Sequence, residues 1–171
     1  YLWDIDPQAS ANMEAEFGSS LAQPIEVAGS PGAGAHASDV IVTCTPSRQA
    51  FLASADVRPG AFIAAVGADN EEKNEISASL MAAATVVTDS TEQCAQFGDL
   101  HHAIEAGVAS ERSVHAELGQ ILAGLRPGRT RDDEVVIFDS TGTALQDVAA
   151  AALVYERAVA AGRGRPFTFA A

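Results

Sequence analysis

The sequence predicts an α/β fold with a mostly parallel sheet, and two observations lead to that prediction. Short apolar segments typical of strands alternate with segments typical of helices along the 171 residues. The predicted strands also end in small or polar residues, as residues 61–66 and 39–45 show most clearly. Such ends are expected to share the carboxyl edge of one sheet, which is where open α/β folds bind ligands.

The first 38 residues predict two short strands and one helix. Residues 1–5 form an apolar run that meets acidic residues, and residues 24–27 are a second strand candidate. Between them, Pro7 fits the first turn of a helix that continues until Gly18 ends it. Residues 29–38 are rich in glycine, but they lack the strand and helix that a phosphate-binding loop requires on either side. A connecting loop is therefore predicted there.

The rest of the chain continues the alternation. Residues 39–45 contain the β-branched run of a strand, and a short helix over 48–55 precedes a turn at 57–60. Residues 61–66 form the next strand, which leads into the loop that carries Asp69. Helices are then predicted over 75–84, around 90–97 and 111–124, and over 143–162, with a strand at 85–89 and a final strand and turn at 134–142.

Composition limits the classes of partner and location. Hydrophobic residues make up 47% and charged residues 19% of the chain, which is a globular profile. A net charge of −13 disfavours binding to nucleic acid and to anionic membranes. The sequence has no apolar run long enough to span a bilayer, and residues 1–10 do not resemble a secretory signal. A cytoplasmic protein without nucleic-acid or membrane partners is expected.

Neither the cysteines nor the histidines show the spacing of a metal site. Cys44 and Cys94 are far apart in sequence, and a packing role is favoured for both. His101 and His102 are neighbours, and adjacent side chains on a helix are expected to point in different directions. No metal is therefore predicted.

Three segments of the chain carry a resemblance to a known family. They are SDVIVTCTPS at 38–47, GAFIAAVGADNEEKNEI at 60–76 and VVIFDSTGTALQDVAAAALVYERA at 135–158. In combination these segments resemble the ornithine cyclodeaminase and mu-crystallin family, which also contains alanine dehydrogenases and cyclic-ketimine reductases. The resemblance covers residues 1 to about 160. It implies a Rossmann-like domain that binds NAD.

The resemblance also implies roles for individual residues. Asp69 matches the catalytic carboxylate, and Thr141 matches a position that faces the substrate. Asp4 matches the acidic residue that binds the adenosine ribose, which favours NAD over NADP because a carboxylate repels a 2′-phosphate. The positions that match cofactor contacts are Asp4, Thr43, Ala65, Val66, Lys73 and Ser140.

Local explanations remain open for several of these residues. Asp69 also fits an aspartate that caps its own turn, and Lys73 fits a solvated lysine in a loop. Thr43 and Ser140 fit polar caps at strand ends. The loop after Asp69 reads Asn-Glu-Glu-Lys where the family usually has proline and glycine before the lysine, so two negative charges are added near the expected phosphates.

The implied activity is that of an NAD-dependent oxidoreductase or cyclodeaminase that acts on a small amino acid or a cyclic imine. The alternative is a catalytically inactive remnant or a binding protein of the mu-crystallin type. The sequence begins at the position of the second strand of the expected fold, so it is interpreted as the carboxyl-terminal portion of a larger protein. Residues 1–138 would form a partial Rossmann domain that lacks its first strand, glycine-rich turn and first helix. Residues 139–171 would form a closing turn and a helix that packs toward a substrate and homodimerisation domain.

The 171-residue chain by itself is expected to bind NAD weakly or not at all. Its sequence contains no GxGxxG turn that opens a helix, and that helix terminus normally holds the pyrophosphate. Isothermal titration calorimetry of the purified chain with NAD measures this directly. Binding at micromolar concentrations would contradict the prediction.

Overall fold

Five parallel strands form one sheet in the computed structural model of the protein, which describes residues 1–165 and 167. The spatial order of the strands is β1-β2-β5-β3-β4. Their carboxyl-terminal residues lie side by side, so the loops that follow them emerge at one edge. The predicted parallel α/β sheet is confirmed. The strands are β1 (Val40–Thr43), β2 (Phe62–Ala65), β3 (Thr85–Thr88), β4 (Ala116–Glu117) and β5 (Val136–Asp139).

The described residues form seven α-helices, and polar caps explain where several of them begin. The Asp6 carboxylate accepts a hydrogen bond from Gln8 N, while Pro7 occupies the first helical position. Serine hydroxyls cap the amino ends of three further helices at positions 30, 77 and 90. The helices are α1 (Pro7–Phe17), α2 (Pro31–His36), α3 (Ala78–Ala83), α4 (Thr91–Phe97), α5 (Asp99–Glu105), α6 (Leu118–Leu122) and α7 (Ala144–Ala160).

The prediction of a loop over residues 29–38 is wrong, because α2 occupies most of it. The Ser30 hydroxyl accepts a hydrogen bond from Ala33 N, and Pro31 begins the helix, so this serine–proline pair was a helix start signal. The glycines of α2 serve close packing: a Cβ on Gly32 would lie 2.4 Å from the Asp56 carboxylate.

The helix predicted over residues 48–55 is also wrong. Leu52 instead forms a parallel bridge with Ile76, and both side chains are buried. The same bridge delays the helix predicted from residue 75, which begins only after the Ser77 cap. Long-range pairing therefore overrides local helix preference in both segments.

The region between residues 98 and 124 differs from its prediction as well. Helix α5 was not predicted, and the single helix expected over 111–124 is divided by β4, which pairs with β3. At the amino end of the chain, the two predicted strands reduce to a single parallel bridge between Leu2 and Val27.

A cleft of about 350 Å³ lies at the β1 side of the sheet. Residues 1–4 and residues 40–46 are among those that line it. Strand β1 is the edge strand of the sheet on this side, and its Val40 and Val42 side chains are exposed. Cys44 is exposed at the same cleft, so the packing role expected for it is wrong.

The hydrophobic core packs β2 and β5 against α3, α4 and α5. Ile63 and Ile137 are neighbours on the two central strands, and neither is accessible to solvent. They belong to one buried cluster with Leu80, Cys94 and Leu100 from the three helices. Burial of each large aliphatic side chain contributes about 1.5–3 kcal/mol, so this cluster stabilises the part of the sheet from which the candidate site projects.

The chain divides into two compact units, Tyr1–Thr141 and Gly142–Ala171. The sheet and helices α1 to α6 belong to the first unit. The described part of the second unit consists mainly of α7, in which no residue is buried. Among the described residues, no helix has the length and apolar character needed to cross a membrane.

Candidate active site

Backbone hydrogen bonds continue beyond the strand ends and hold the following loops side by side. Val66 N donates to Thr43 O at 2.9 Å, and Ser140 N donates to Ala65 O at the same distance. The loops after β1, β2 and β5 therefore leave the sheet together. The resemblance matches Thr43, Ala65, Val66 and Ser140 to cofactor contacts, and these four residues form the two hydrogen bonds.

Asp69 lies at the exposed end of the loop after β2. Its side chain is 55% exposed, and its Oδ1 lies 2.6 Å from Lys73 Nζ, whose side chain is only 24% exposed. Asn70 Nδ2 also donates to Oδ1, at 3.3 Å, so the other carboxylate oxygen, Oδ2, has no partner among the described residues. The carboxylate is thus held at one oxygen and open at the other.

The local explanations for Asp69 and Lys73 do not fit these contacts. Asn70 Oδ1, not Asp69, accepts the backbone N–H groups of Glu72 and Lys73 and so caps the turn. Lys73 is not a solvated lysine, because its ammonium pairs with Asp69 and its carbonyl accepts from His102 Nε2 at 2.9 Å.

A buried carboxylate that the sequence analysis missed fixes this loop to its neighbour. Glu75 is inaccessible to solvent, and one of its oxygens accepts from Thr45 N at 2.5 Å and from Thr45 Oγ1 at 2.7 Å. Its other oxygen accepts from Gly67 N at 3.0 Å. Glu75 therefore connects the loop after β1 to the loop after β2. Its contact in the second loop is Gly67, which lies two residues before Asp69 in sequence.

Two further buried carboxylates continue this network toward β5. Asp99 Oδ1 accepts from Glu75 N at 2.7 Å and from Ile76 N at 2.9 Å. Asp139, the last residue of β5, accepts from Leu100 N at 2.9 Å and from Asp99 N at 3.3 Å, so it caps the amino end of α5. Three carboxylates thus link three strand ends through one helix terminus.

Burial alters the ionisation of two members of this network. Burial raises the pKa of Asp99 to about 7, although its backbone hydrogen bonds oppose the change. Burial also raises the pKa of Asp139 to about 8, and the nearby charge of Asp99 adds to this increase. Burial likewise raises the pKa of the Cys94 thiol far above its ordinary value, which leaves Cys94 as a packing residue.

Two glycines are required by this network because side chains would collide with the carboxylates. A Cβ on Gly67 would lie 2.4 Å and 2.6 Å from the two Glu75 oxygens. A Cβ on Gly98 would lie 2.6 Å from Asp139 Oδ2. The glycine that follows the apolar run at 61–66 therefore indicates a close approach, but the sequence does not show that Glu75 is the residue that approaches.

Two threonine hydroxyls at the same edge lack hydrogen-bond partners among the described residues. Thr43 Oγ1, at the end of β1, and Thr141 Oγ1, after β5, are both buried. A buried hydroxyl without a partner costs about 1–3 kcal/mol, so such groups indicate a place for a ligand or an ordered water. Ser140 differs, because its Oγ donates to Asp89 Oδ2 at 2.8 Å.

Asp4 lies apart from Asp69. It is exposed and lines the cleft that also contains Thr43, where its Oδ1 accepts from Asp6 N at 2.8 Å. Asp69 and Lys73 do not line this cleft. The structure therefore divides the predicted residues into two groups. Asp4 and Thr43 line the cleft, whereas Asp69 and Lys73 belong to the loop after β2, and the hydrogen bond from Val66 N to Thr43 O at the end of β1 joins the two.

The expectation that His101 and His102 point apart is wrong. Their rings lie 5.2 Å apart between centroids, edge to face, and a nitrogen of each faces Glu105. Both rings are held by backbone carbonyls, which local helix geometry does not reveal.

Comparisons with known proteins place this site in context. Residues 1–162 match the family model described as ornithine cyclodeaminase/mu-crystallin family. A putative dehydrogenase of Rhizobium meliloti is 42% identical over 166 residues, which are 97% of this chain and 50% of that protein. The chain therefore spans about half the length of this relative. An alanine dehydrogenase of Archaeoglobus fulgidus is 42% identical over 131 residues, which are 77% of this chain and 41% of that protein.

Solved structures of similar proteins agree with the fold. An archaeal alanine dehydrogenase dimer with bound NAD superposes with a TM-score of 0.89 at 35% identity, over 98% of this chain and 52% of that one. A Δ1-pyrroline-2-carboxylate reductase of Thermococcus litoralis, in complex with NADH and L-proline, superposes with a TM-score of 0.91 at 28% identity, over 96% of this chain and 51% of that one.

The stability of the protein is expected to fall as the pH rises from about 4 to about 8. The folded protein keeps a proton on Asp99 up to about pH 7 and on Asp139 up to about pH 8, whereas the unfolded chain loses both near pH 4, since the pKa of each is raised on folding. The free energy of unfolding should fall by up to ~1.4 kcal/mol per pH unit for each group. Asp139→Asn should make this pH dependence shallower in urea denaturation, whereas the exposed control Asp132→Asn should leave it unchanged. An unaltered slope in Asp139→Asn would show that Asp139 does not carry the effect.

Gly67→Ala is expected to lower the free energy of unfolding by about 1–3 kcal/mol, because the new Cβ must displace the Glu75 carboxylate from its buried position. The matched control is Gly119→Ala, where no atom lies within 4 Å of the added Cβ and the change should be neutral or stabilising by up to ~1 kcal/mol. Urea denaturation compares the two variants. Equal stabilities would contradict the proposed close contact.

Proposed function

Because this chain belongs to the ornithine cyclodeaminase/mu-crystallin family, we propose that it carries the nucleotide-binding region of an NAD-dependent oxidoreductase or cyclodeaminase. The substrate would be a small amino acid or the corresponding imine. The observation that carries this proposal is the Glu75 network, which ties the loop that carries Asp69 to the loop after β1 at the carboxyl edge of the sheet.

The residues present are compatible with an NAD site. Thr43 Oγ1 is buried without a partner among the described residues at the edge where α/β folds bind nucleotides. In the same cleft the exposed Asp4 carboxylate would accept hydrogen bonds from a ribose and would repel the additional phosphate of NADP. We propose Asp4, Thr43, Ala65, Val66, Lys73 and Ser140 as the cofactor-binding residues. When bound, NAD supplies the acceptor or the donor of the hydride.

The Asp69 carboxylate is suited to proton transfer with an amino-acid substrate. Its Oδ1 is held by Lys73 and Asn70, which leaves Oδ2 to take a proton from the substrate ammonium group. Once this proton has passed on to solvent and the substrate carbon has given up its hydride, the restored negative charge of the carboxylate stabilises the positive charge of the iminium product. In the reductive direction Oδ2 returns the proton. The same two functions serve a dehydrogenase and a cyclodeaminase.

Thr141 is proposed to face the substrate, since its buried Oγ1 has no partner among the described residues. Ser140 contributes differently from the initial expectation, because its hydroxyl is already engaged by Asp89. It would therefore position the chain after β5 through that contact and through its N–H bond to Ala65 O.

The acidic loop does not exclude this function. Glu72, one of the two additional acidic residues, pairs with Arg48 at 2.9 Å, so part of its charge is compensated locally. This contact is exposed and contributes at most about 1 kcal/mol, but it directs the Glu72 carboxylate toward Arg48.

A homodimer and a cytoplasmic location are further parts of the proposal. One structural relative is described as a dimer, and α7 exposes apolar side chains that a partner surface would cover. We also propose that residues 1–138 form the partial Rossmann domain and that residues 139–171 pack toward a substrate and dimerisation domain. The exposed apolar residues of α7 are Leu145, Val148, Leu153, Val154, Tyr155 and Val159.

Asp69→Asn tests the catalytic role in the protein as it is isolated from its source. Loss of the proton acceptor should lower kcat by about 10²–10⁴-fold, while the Kd for NAD changes by less than about threefold. Reduction of NAD with ornithine, alanine or proline as substrate measures the first quantity, and calorimetry measures the second. Asp132→Asn, an exposed loop substitution, is the control. Unchanged turnover in Asp69→Asn would remove Asp69 from the mechanism, and a protein that binds NAD without turnover would favour the mu-crystallin type of binding protein.

A further inference from the structure

Three side chains of α5 bring potential metal ligands together, and one of them, His102, contacts the Lys73 carbonyl. His101 Nε2 and His102 Nδ1 lie 3.5 Å and 3.8 Å from the same oxygen, Glu105 Oε2. These three ligand atoms all lie within 4.8 Å of one another. They share one short segment of helix, at positions i, i+1 and i+4.

The hydrogen bonds of the two rings determine which nitrogens carry protons. His101 Nδ1 contacts Ala95 O at 3.2 Å, and His102 Nε2 contacts Lys73 O at 2.9 Å. A carbonyl oxygen only accepts hydrogen bonds, so both of these nitrogens must donate. In the neutral rings, the nitrogens that face Glu105 therefore present lone pairs.

Three electron-rich atoms thus converge without a donor of their own between them. Such an arrangement accommodates a hydrogen-bond donor such as water or a metal ion. The carbonyl contacts favour a metal ion, because metal-bound histidines almost always donate their second N–H to a carbonyl or a carboxylate, and that contact fixes the orientation of the ring. Both rings here already have this outer contact.

We propose that His101, His102 and Glu105 bind a first-row divalent transition metal, with Zn²⁺ as the best match. Two imidazoles and one carboxylate suit Zn²⁺, whereas Mg²⁺ and Ca²⁺ prefer oxygen ligands alone. Tetrahedral coordination with bonds of 2.0–2.2 Å separates ligand atoms by about 3.3–3.6 Å. The two histidine nitrogens lie 3.5 Å and 3.8 Å from Glu105 Oε2, and all three atoms lie within 4.8 Å of one another, so the side chains must draw together when the ion binds. Three protein ligands leave a fourth position for water.

The exposure of the three side chains fits a site that exchanges its ion with solvent. The His101 and His102 side chains are 21% and 19% exposed, so packing restricts their rings. Glu105 is 64% exposed and gives the ion access from solvent. The two histidines form the fixed part of the site, and Glu105 closes it.

Binding at this site would also act on the Asp69 loop, a consequence that rests on the proposed function. His102 lies between the ion and the Lys73 carbonyl, and Lys73 pairs with Asp69. A bound Zn²⁺ withdraws electron density from the ring and strengthens the Nε2–H donor. The bound ion would therefore restrain the loop from Asp69 to Lys73.

Calorimetric titration of the native protein with ZnCl₂ tests the site itself. We expect one Zn²⁺ per chain, with binding at least ~10-fold weaker in Glu105→Gln and in His101→Gln, since even outer contacts of metal sites are worth 10–100-fold. His36→Gln, a substitution of an exposed histidine on α2, is the control and should bind as the unmodified protein does. Circular dichroism establishes that each variant is folded. The visible absorption of Co²⁺ provides a second readout, which both site variants should alter.

Three results would overturn the proposed site. They are the absence of stoichiometric Zn²⁺ binding, an affinity in both site variants equal to that of the unmodified protein, and loss of Zn²⁺ binding in His36→Gln. Hydrogen–deuterium exchange then tests the connection to the loop without any assay of turnover. Zn²⁺ should slow exchange in peptides that cover residues 69–75 in the unmodified protein and not in Glu105→Gln. Equal exchange with and without Zn²⁺ would overturn the connection. Failure of the catalytic proposal would leave both measurements unaffected.

Discussion

The carboxylate of Glu75 is the contact on which the candidate active site depends. It is inaccessible to solvent and accepts three hydrogen bonds, from Thr45 N, Thr45 Oγ1 and Gly67 N. These bonds join the loops after β1 and β2. Without them, the pairing between the two strands would hold the loop after β2 only as far as Val66. Its own backbone N–H is held by Asp99, and the Asp99 N–H is held in turn by Asp139. A chain of buried carboxylates thus positions the loop that carries Asp69, and Lys73 and Asn70 hold the Asp69 side chain itself.

Such a network is costly, and its cost explains its composition. Buried carboxylates are tolerated when hydrogen bonds satisfy them, and here the donors are mostly backbone N–H groups at loops and at the start of α5. Asp99 and Asp139 also lower their cost by holding protons, because burial raises the pKa of each. Apolar side chains in the same space could stabilise the fold, but they could not orient individual N–H groups. Directional bonds therefore give the loops a defined geometry at some expense of stability.

Much of the fold and part of the site were predictable from local patterns. The β-branched run at 39–45 and the apolar run at 61–66 became β1 and β2. The rule that ligands bind beyond such strands led to Asp69, and the family resemblance led to Thr43. Helix α2 was missed because its glycines concealed the Ser30–Pro31 start signal. Helix α5 was missed because its cap is Asp139, which lies 40 residues from Asp99 in sequence. Glu75 was missed because nothing in its sequence neighbourhood distinguishes a buried carboxylate from a solvated one.

The sequence by itself determined the class of the fold, the family and the residue types at the carboxyl edge of the sheet. These properties depend on side-chain periodicity, turn-forming residues and motifs, which are local and remain readable in a linear chain. Only the tertiary structure decided which carboxylates are buried, which N–H groups they accept, and that His101, His102 and Glu105 face one another. Those outcomes depend on distances between segments far apart in sequence and on the exclusion of water, and neither is set until the sheet and its helices have packed.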